Sequence, residues 1–266
     1  MPHLLRLSFK HGSPDYHAPF PFSVPQIRTL PSIDVDVPVT FFVGENGSGK
    51  STLLEGIAAA AEVPAMGGNR DVALDPTLEH ARHLGAALRL AWSRRSRQGF
   101  FLRAEDFFGR LKWLARDDAR DLREKFEAAM GVRADAPRET SIDSTHPDEL
   151  RASSFLGKYD ARSHGESFMD LFTERIKPGG LYLLDEPEAP LSPRRQIALL
   201  DVLVRTSRAG AQFIIATHSP ILLACPGARI HSFDETPIAP VAYEDLEHVT
   251  VTRDFLNEPG RFIPGR

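Results

Sequence analysis

The run Gly44-Glu45-Asn46-Gly47-Ser48-Gly49-Lys50-Ser51 sets glycines, one lysine and one hydroxyl in the G-x-x-x-x-G-K-[ST] spacing of a phosphate cradle. Glycines at 44, 47 and 49 let successive backbone N–H groups turn inward without side-chain obstruction. The N-terminus of a following helix adds further oriented donors, so the segment suits a polyphosphate. Lys50 is placed to reach the β and γ phosphates, and the Ser51 hydroxyl to ligate Mg²⁺. Thr52 adds a phosphate contact or caps the helix. The cradle implies a nucleoside triphosphate and leaves open what the nucleotide is used for.

A second cluster of reactive groups lies far along the chain. Leu181-Tyr182-Leu183-Leu184-Asp185-Glu186-Pro187 is an apolar strand that delivers two adjacent carboxylates at its C-terminal end before proline stops it. Ligands of open α/β sheets bind at that edge. Asp185 stands where a carboxylate holds Mg²⁺ in phosphoryl-transfer enzymes, and Glu186 is the candidate general base for a water attacking in line.

These groups need a scaffold, and the rest of the chain reads as a mostly parallel α/β one. Val39-Thr40-Phe41-Phe42-Val43 is an uninterrupted β-branched and aromatic run, expected of a strand covered on both faces, and residues 50 to 61 follow it as a helix. Leu4 to Phe9 alternates as an edge strand. The proline-rich stretch from Pro14 to Pro38 excludes a long helix. Residues 78 to 92 have helical spacing, Phe100 to Leu102 reads as a short strand, and Glu105 to Met130 as one amphipathic helix or a broken pair, with a linker from Gly131 to Ala152. The last third then alternates: strand 181–184, helix 193–207, strand 211–216, a turn at 221–224, strand 229–233 and a closing helix 244–257.

Composition narrows the class. With 266 residues, 42% hydrophobic and 26% charged, the chain is globular rather than disordered or fibrous. A net charge of −4 lacks the positive excess of non-specific nucleic-acid binders or polybasic membrane anchors, although the Arg94-Arg95-Ser96-Arg97 cluster leaves a local basic patch. The lone Cys225 excludes an internal disulfide and a cysteine-rich zinc site, and fits a reducing compartment. The opening residues break their apolar run too early for a secretory signal, and no stretch approaches the ~20 apolar residues of a membrane helix. A cytoplasmic protein without direct membrane insertion is expected.

Two further motifs raise the specificity of the pattern. Ser163-His164-Gly165-Glu166-Ser167 resembles a diverged signature loop of the ATP-binding-cassette (ABC) ATPases, and Thr217-His218-Ser219-Pro220 resembles their switch histidine. With the cradle and Asp185-Glu186, four motifs stand in that family's order and usual separations from Val39 to Phe233. The resemblance implies a P-loop NTPase fold of ABC type. It also implies one domain over 1–266, with a nucleotide-binding core (1–62 and 177–266) and a helical, signature-loop subdomain (about 63–176). It implies ATP and Mg²⁺ as cofactors and an ATP-dependent homodimer, in which Ser163, Gly165 and Glu166 of one copy contact the γ-phosphate held by the other. His218 senses that phosphate and helps Glu186 position the water.

The branch of the family is less marked. Asp-Glu-Pro-Glu at 185–188 and Thr-His-Ser-Pro at 217–220 are similar to soluble ABC-type ATPases related to chromosome-maintenance and DNA-repair enzymes, often labelled AAA-family. The residues between 105 and 152 are too few and lack the heptads of coiled-coil arms. The family's Mg²⁺-ligating glutamine has no clear counterpart: Glu105, or else Gln98, holds that place. Tyr16, Phe20 and Phe22 are candidates for stacking on the base. A protein or nucleic-acid partner, an ABC-transporter motor role and a repair or defence role all remain open.

Overall fold

The computed structural model describes residues 2–12, 14–15, 17–65, 79–96, 98–104 and 164–263. The expected helix and linker between Glu105 and Ala152 fall outside that set. Nine strands and seven α-helices are described: β1 Leu4–Phe9, α1 Pro25–Arg28, β2 Ile33–Asp34, β3 Val39–Val43, α2 Lys50–Ala61, α3 Glu79–Ala87, β4 Leu88–Trp92, β5 Gly99–Arg103, α4 His164–Arg175, β6 Leu181–Asp185, α5 Pro193–Arg208, β7 Gln212–Ala216, α6 Pro220–Leu223, β8 Arg229–Ser232, β9 Ala239–Pro240 and α7 Glu247–Asn257.

The main sheet has the order β5-β6-β7-β3-β8-β9, parallel throughout except for the antiparallel β9 at one edge. Every residue of β3, β6 and β7 is buried. Such strands, covered by helices on both faces, read as continuous apolar runs instead of alternating ones. Successive side chains go to opposite faces, as pleating requires. Phe41, Tyr182, Leu184, Phe213 and Ile215 pack with α4 and α5, whereas Phe42, Leu181, Leu183 and Ile214 pack with α2 and the N-terminal strands. The architecture is thus the mostly parallel α/β sheet expected. The 63–176 stretch contributes strands as well as helices: β4 and β5 lie within it, and β5 is an edge strand of the main sheet.

Residues 78 to 92 depart from the helical reading. The helix ends at Ala87 and the chain continues as β4, which pairs antiparallel with β1 to form a second sheet in the order β2-β1-β4. The spacing of Leu84, Leu88 and Ala91 fits a helix. However, Leu88, Leu90 and Trp92 also sit at period two, and pairing with β1 decides between the readings. Among the described residues, no helix is long and apolar enough to cross a membrane.

One side chain joins the two sheets. Gln212, fully buried at the start of β7, accepts hydrogen bonds from the backbone N–H groups of His3 and Leu4 (2.8 Å each) and donates to the carbonyls of Leu4 (2.8 Å) and Val35 (2.7 Å). Removing the amide strands several buried backbone groups at about 1–3 kcal/mol each. Gln212→Ala is therefore expected to lower the unfolding free energy by roughly 3 kcal/mol or more. Urea titration would read this as a lower midpoint at unchanged slope.

Candidate functional site

The parallel register sets Arg103, Asp185, Ala216 and Phe42 abreast at the C-terminal edge of the main sheet. Three of the segments that leave that edge carry the motifs: the cradle after β3, the Asp185-Glu186 turn after β6, and the Thr217-His218 segment after β7. Motifs separated by well over a hundred residues in sequence meet there.

In the cradle, Gly44, Gly47 and Gly49 all have positive φ. At Gly49, φ is +98° and an added Cβ would stand 3.0 Å from Cγ1 of Val24, so a side chain there would strain the backbone and crowd its neighbour. The helix α2 opens directly on Lys50, whose buried amine donates to the carbonyls of Gly44 (2.6 Å) and Glu45 (2.9 Å). Burial lowers the Lys50 pKa, and the carboxylates of Glu186 and Asp185 pull it back up. Asp234, just past β8, accepts from the Glu45 N–H at 2.8 Å and ties the cradle to the neighbouring strand.

Ser51 donates its hydroxyl to Oδ1 of Asp185 at 2.9 Å, which brings the two predicted metal ligands together. The Asp185 carboxyl is almost wholly buried; burial raises its pKa, while the Ser51 hydrogen bond and the Arg103 charge oppose the rise. Arg103 Nε lies 3.5 Å from Asp185 Oδ2, and the same guanidinium pairs with Glu55 of α2, which also meets His80 at 2.7 Å. A hydroxyl and a carboxylate side by side, hard oxygen donors in a pocket that penalises uncompensated negative charge, fit Mg²⁺ shared with substrate phosphates.

Glu186 adopts a left-handed conformation, with φ +49°, and its N–H bonds the Ala216 carbonyl at 2.9 Å. This turn brings its Oε1 to 3.4 Å from Nε2 of His218. Burial, the neighbouring Glu188 carboxylate and Asp185 push the Glu186 pKa up to about 8, against the pull of Lys50. Burial, and then the Lys50 charge, lower that of His218, which favours the neutral imidazole. A cavity of about 1060 Å³ opens between the cradle loop and α7, lined by Gly44, Asn46, Gly47, Ser48, His218 and His248 among others. Within it, Ser48 Oγ, His218 Nε2 and His248 Nε2 are buried without hydrogen-bond partners. Orphaned polar atoms beside a glycine cradle fit an anionic ligand.

Other expected residues fall differently. Glu105 and Ser163 lie outside the described residues. Gly165 and Glu166 are in the first turn of α4, where only the backbone is described. Gln98 precedes β5 at the opposite, N-terminal edge of the sheet, where its carbonyl accepts from Leu181 N–H, so it cannot reach Asp185. Phe22 packs on Phe9 and Phe20 on His80. Sequence reasoning assigned no role to Glu188, His248, Arg103 or Asp234. Only Glu188 carried a local signal, as the last member of Asp-Glu-Pro-Glu.

Comparison with known proteins places these segments among ATP-binding domains. A family described as "AAA domain, putative AbiEii toxin, Type IV TA system" matches residues 168–224, and another described as "AAA domain" matches 26–70. The chain is 31% identical over 208 residues to the hemin import ATP-binding protein HmuV of Streptomyces coelicolor, covering 76% of this chain and 68% of that one. It is 27% identical over 256 residues to HmuV of Rhodopseudomonas palustris, covering 90% and 92%. Among solved structures, the SMC head domain from Thermotoga maritima aligns at TM-score 0.40 and 18% identity, over 90% of this chain and 99% of that one. The cbiO1 part of the ABC transporter complex cbiONQ from Clostridium perfringens aligns at 0.42 and 17%, over 98% of each.

Lys50 is the positive group closest in kind to what a triphosphate needs. Lys50→Met is expected to weaken ATP binding by at least about tenfold, the loss of one charge-assisted hydrogen bond of roughly 1.5–3 kcal/mol. Titration with a fluorescent ATP analogue measures it, with a thermal melt confirming the fold.

Proposed function

The chain belongs to the ATP-binding-cassette ATPases of P-loop type, and we propose that it hydrolyses ATP in a Mg²⁺-dependent manner between two copies that close on the nucleotide. The observation that carries this reading is the meeting of Lys50, the Ser51–Asp185 pair and the Glu186–His218 pair at one sheet edge, where His218 also lines a cavity beside the cradle glycines. Gly44 to Thr52 receive the polyphosphate. On binding, the Lys50 amine exchanges the Gly44 and Glu45 carbonyls for phosphate oxygens. Ser51 and Asp185 hold Mg²⁺, with Glu105 as a further candidate ligand. When bound, the ion supplies positive charge against the phosphate oxygens and favours the ionised form of Glu186.

Glu186 then takes a proton from the attacking water as the water oxygen bonds to the γ-phosphorus. The bond from that phosphorus to the bridging oxygen breaks, and ADP and phosphate are the products. His218, 3.4 Å from Glu186, offers a hydrogen bond to the γ-phosphate or the water. Ser163, Gly165 and Glu166 of the second copy complete the cradle from the far side. The α4 N-terminus that carries Gly165 and Glu166 would aim a positive dipole end at the phosphate. Loss of the γ-phosphate removes what joins the copies and releases them.

A second reading names the partner. The two relatives are import ATP-binding proteins matched over 76% and 90% of this chain, which favours a role as the ATP-driven subunit of a membrane importer. That role predicts a membrane-spanning partner, recovered with the ATP-locked protein from detergent extracts. Recovery without any such partner would overturn it.

The pairing itself is tested by Glu186→Gln. This variant is expected to hydrolyse ATP at least about a hundredfold more slowly while still binding it, as loss of a general base requires. It should run as a dimer in MgATP and as a monomer in EDTA by light scattering. A monomer at saturating MgATP overturns the proposal.

A further inference from the structure

The segment after the carboxylate pair holds the switch loop through an acceptor that no motif required. Oε1 of Glu188 accepts three hydrogen bonds from consecutive residues of that loop: the Thr217 hydroxyl at 2.5 Å, the His218 N–H at 2.8 Å and the Ser219 N–H at 3.1 Å. The other oxygen, Oε2, is buried and has no hydrogen-bond partner, and its carboxyl lies close enough to Glu186 to perturb it. A second link runs beside the first. Ser219 donates its hydroxyl to Gln196 Oε1 at 2.7 Å, and the Gln196 amide donates to the Leu191 carbonyl at 3.1 Å. Two side chains of the 186–196 segment therefore hold residues 217–219, and the Glu186 N–H of the same segment bonds the Ala216 carbonyl.

We propose that Glu188, assisted by Gln196, is a positioning residue that fixes the His218 imidazole opposite Glu186. In this arrangement the general base and the switch histidine move as one unit with the 187–193 turn. The proposal rests on the catalytic reading given above and adds to it a residue that touches neither nucleotide nor metal. An acceptor oxygen at the end of this side chain suits the task because it stands within reach of all three donors at once. Aspartate is one methylene shorter. Misplacement of a reacting group by an ångström is enough to cost about a hundredfold in rate.

The test compares Glu188→Ala, Glu188→Gln, Glu188→Asp and Gln196→Ala with the parent and with Glu186→Gln. Steady-state ATP hydrolysis, ATP affinity and thermal midpoint are read for each. Glu188→Ala is expected to lower kcat by about tenfold to a hundredfold with ATP affinity within about twofold of the parent. Glu188→Gln, which keeps an acceptor oxygen at the same reach, should recover most of that loss. Glu188→Asp keeps the charge but not the reach and should not recover it. Gln196→Ala should fall between Glu188→Ala and the parent. If Glu188→Ala does not accumulate as folded protein, the Gln and Asp variants alone decide the matter. A kcat for Glu188→Ala within threefold of the parent overturns the inference, and so does a Gln variant as slow as the Asp one. Should Glu186→Gln hydrolyse ATP at the parental rate, the catalytic reading fails first; should it be slow while the Glu188 series stays fast, only the positioning role fails.

Discussion

Parallel pairing fixes where the chemistry can occur. Strands β3 and β6 are not neighbours, because β7 runs between them. The cradle and the carboxylate pair therefore leave the sheet two strand spacings apart, roughly 10 Å. The first turn of α2 closes part of that gap, bringing Ser51 to Asp185, and the loop from the intervening β7 carries His218 over the rest. A chain of phosphates fits a gap of this kind, with backbone donors at one end and oxygen ligands at the other. A slip of one residue in any of the three strands would reverse the faces of its side chains and take one component out of the row.

The charges gathered there do not balance among themselves. Lys50 and Arg103 are set against Asp185, Glu186 and Glu188, and burial is the largest cause of the shifts at Lys50, Asp185, Glu186 and His218. Desolvation favours the neutral form of each carboxyl and of the amine alike. A polyphosphate with its cation brings both signs of charge at once, stabilising the Lys50 ammonium and the Asp185 carboxylate together. Ser48 Oγ and His248 Nε2, both of residues lining the cavity, are buried without hydrogen-bond partners.

Legibility in the sequence followed the range of the physics. The stretch from Val39 to Ala61 could be read to the residue, because a buried strand, a glycine turn and a helix start are all specified by neighbours along the chain. The acidic pair at the end of β6 and the histidine after β7 were equally local. Strand β4 was not readable, since its helical and alternating patterns coincide and only β1 tells them apart. Gln212 looked like an ordinary polar residue at a strand start; its partners, His3, Leu4 and Val35, lie more than 170 residues away in sequence. Glu188 was visible as a letter in a motif, yet the three donors that give it meaning come from another loop.

The left-handed backbone of Glu186 has a consequence for how this protein can change. A non-glycine residue at φ +49° sits in a region that costs of order 1 kcal/mol or more, and a β-branched side chain would suffer most. Glycine or asparagine would relax the turn and, in the same step, delete the carboxylate. With the general-base role proposed for Glu186, fold and reaction pull on this codon in opposite directions, and drift toward greater robustness would keep the ATP cradle while slowing its turnover.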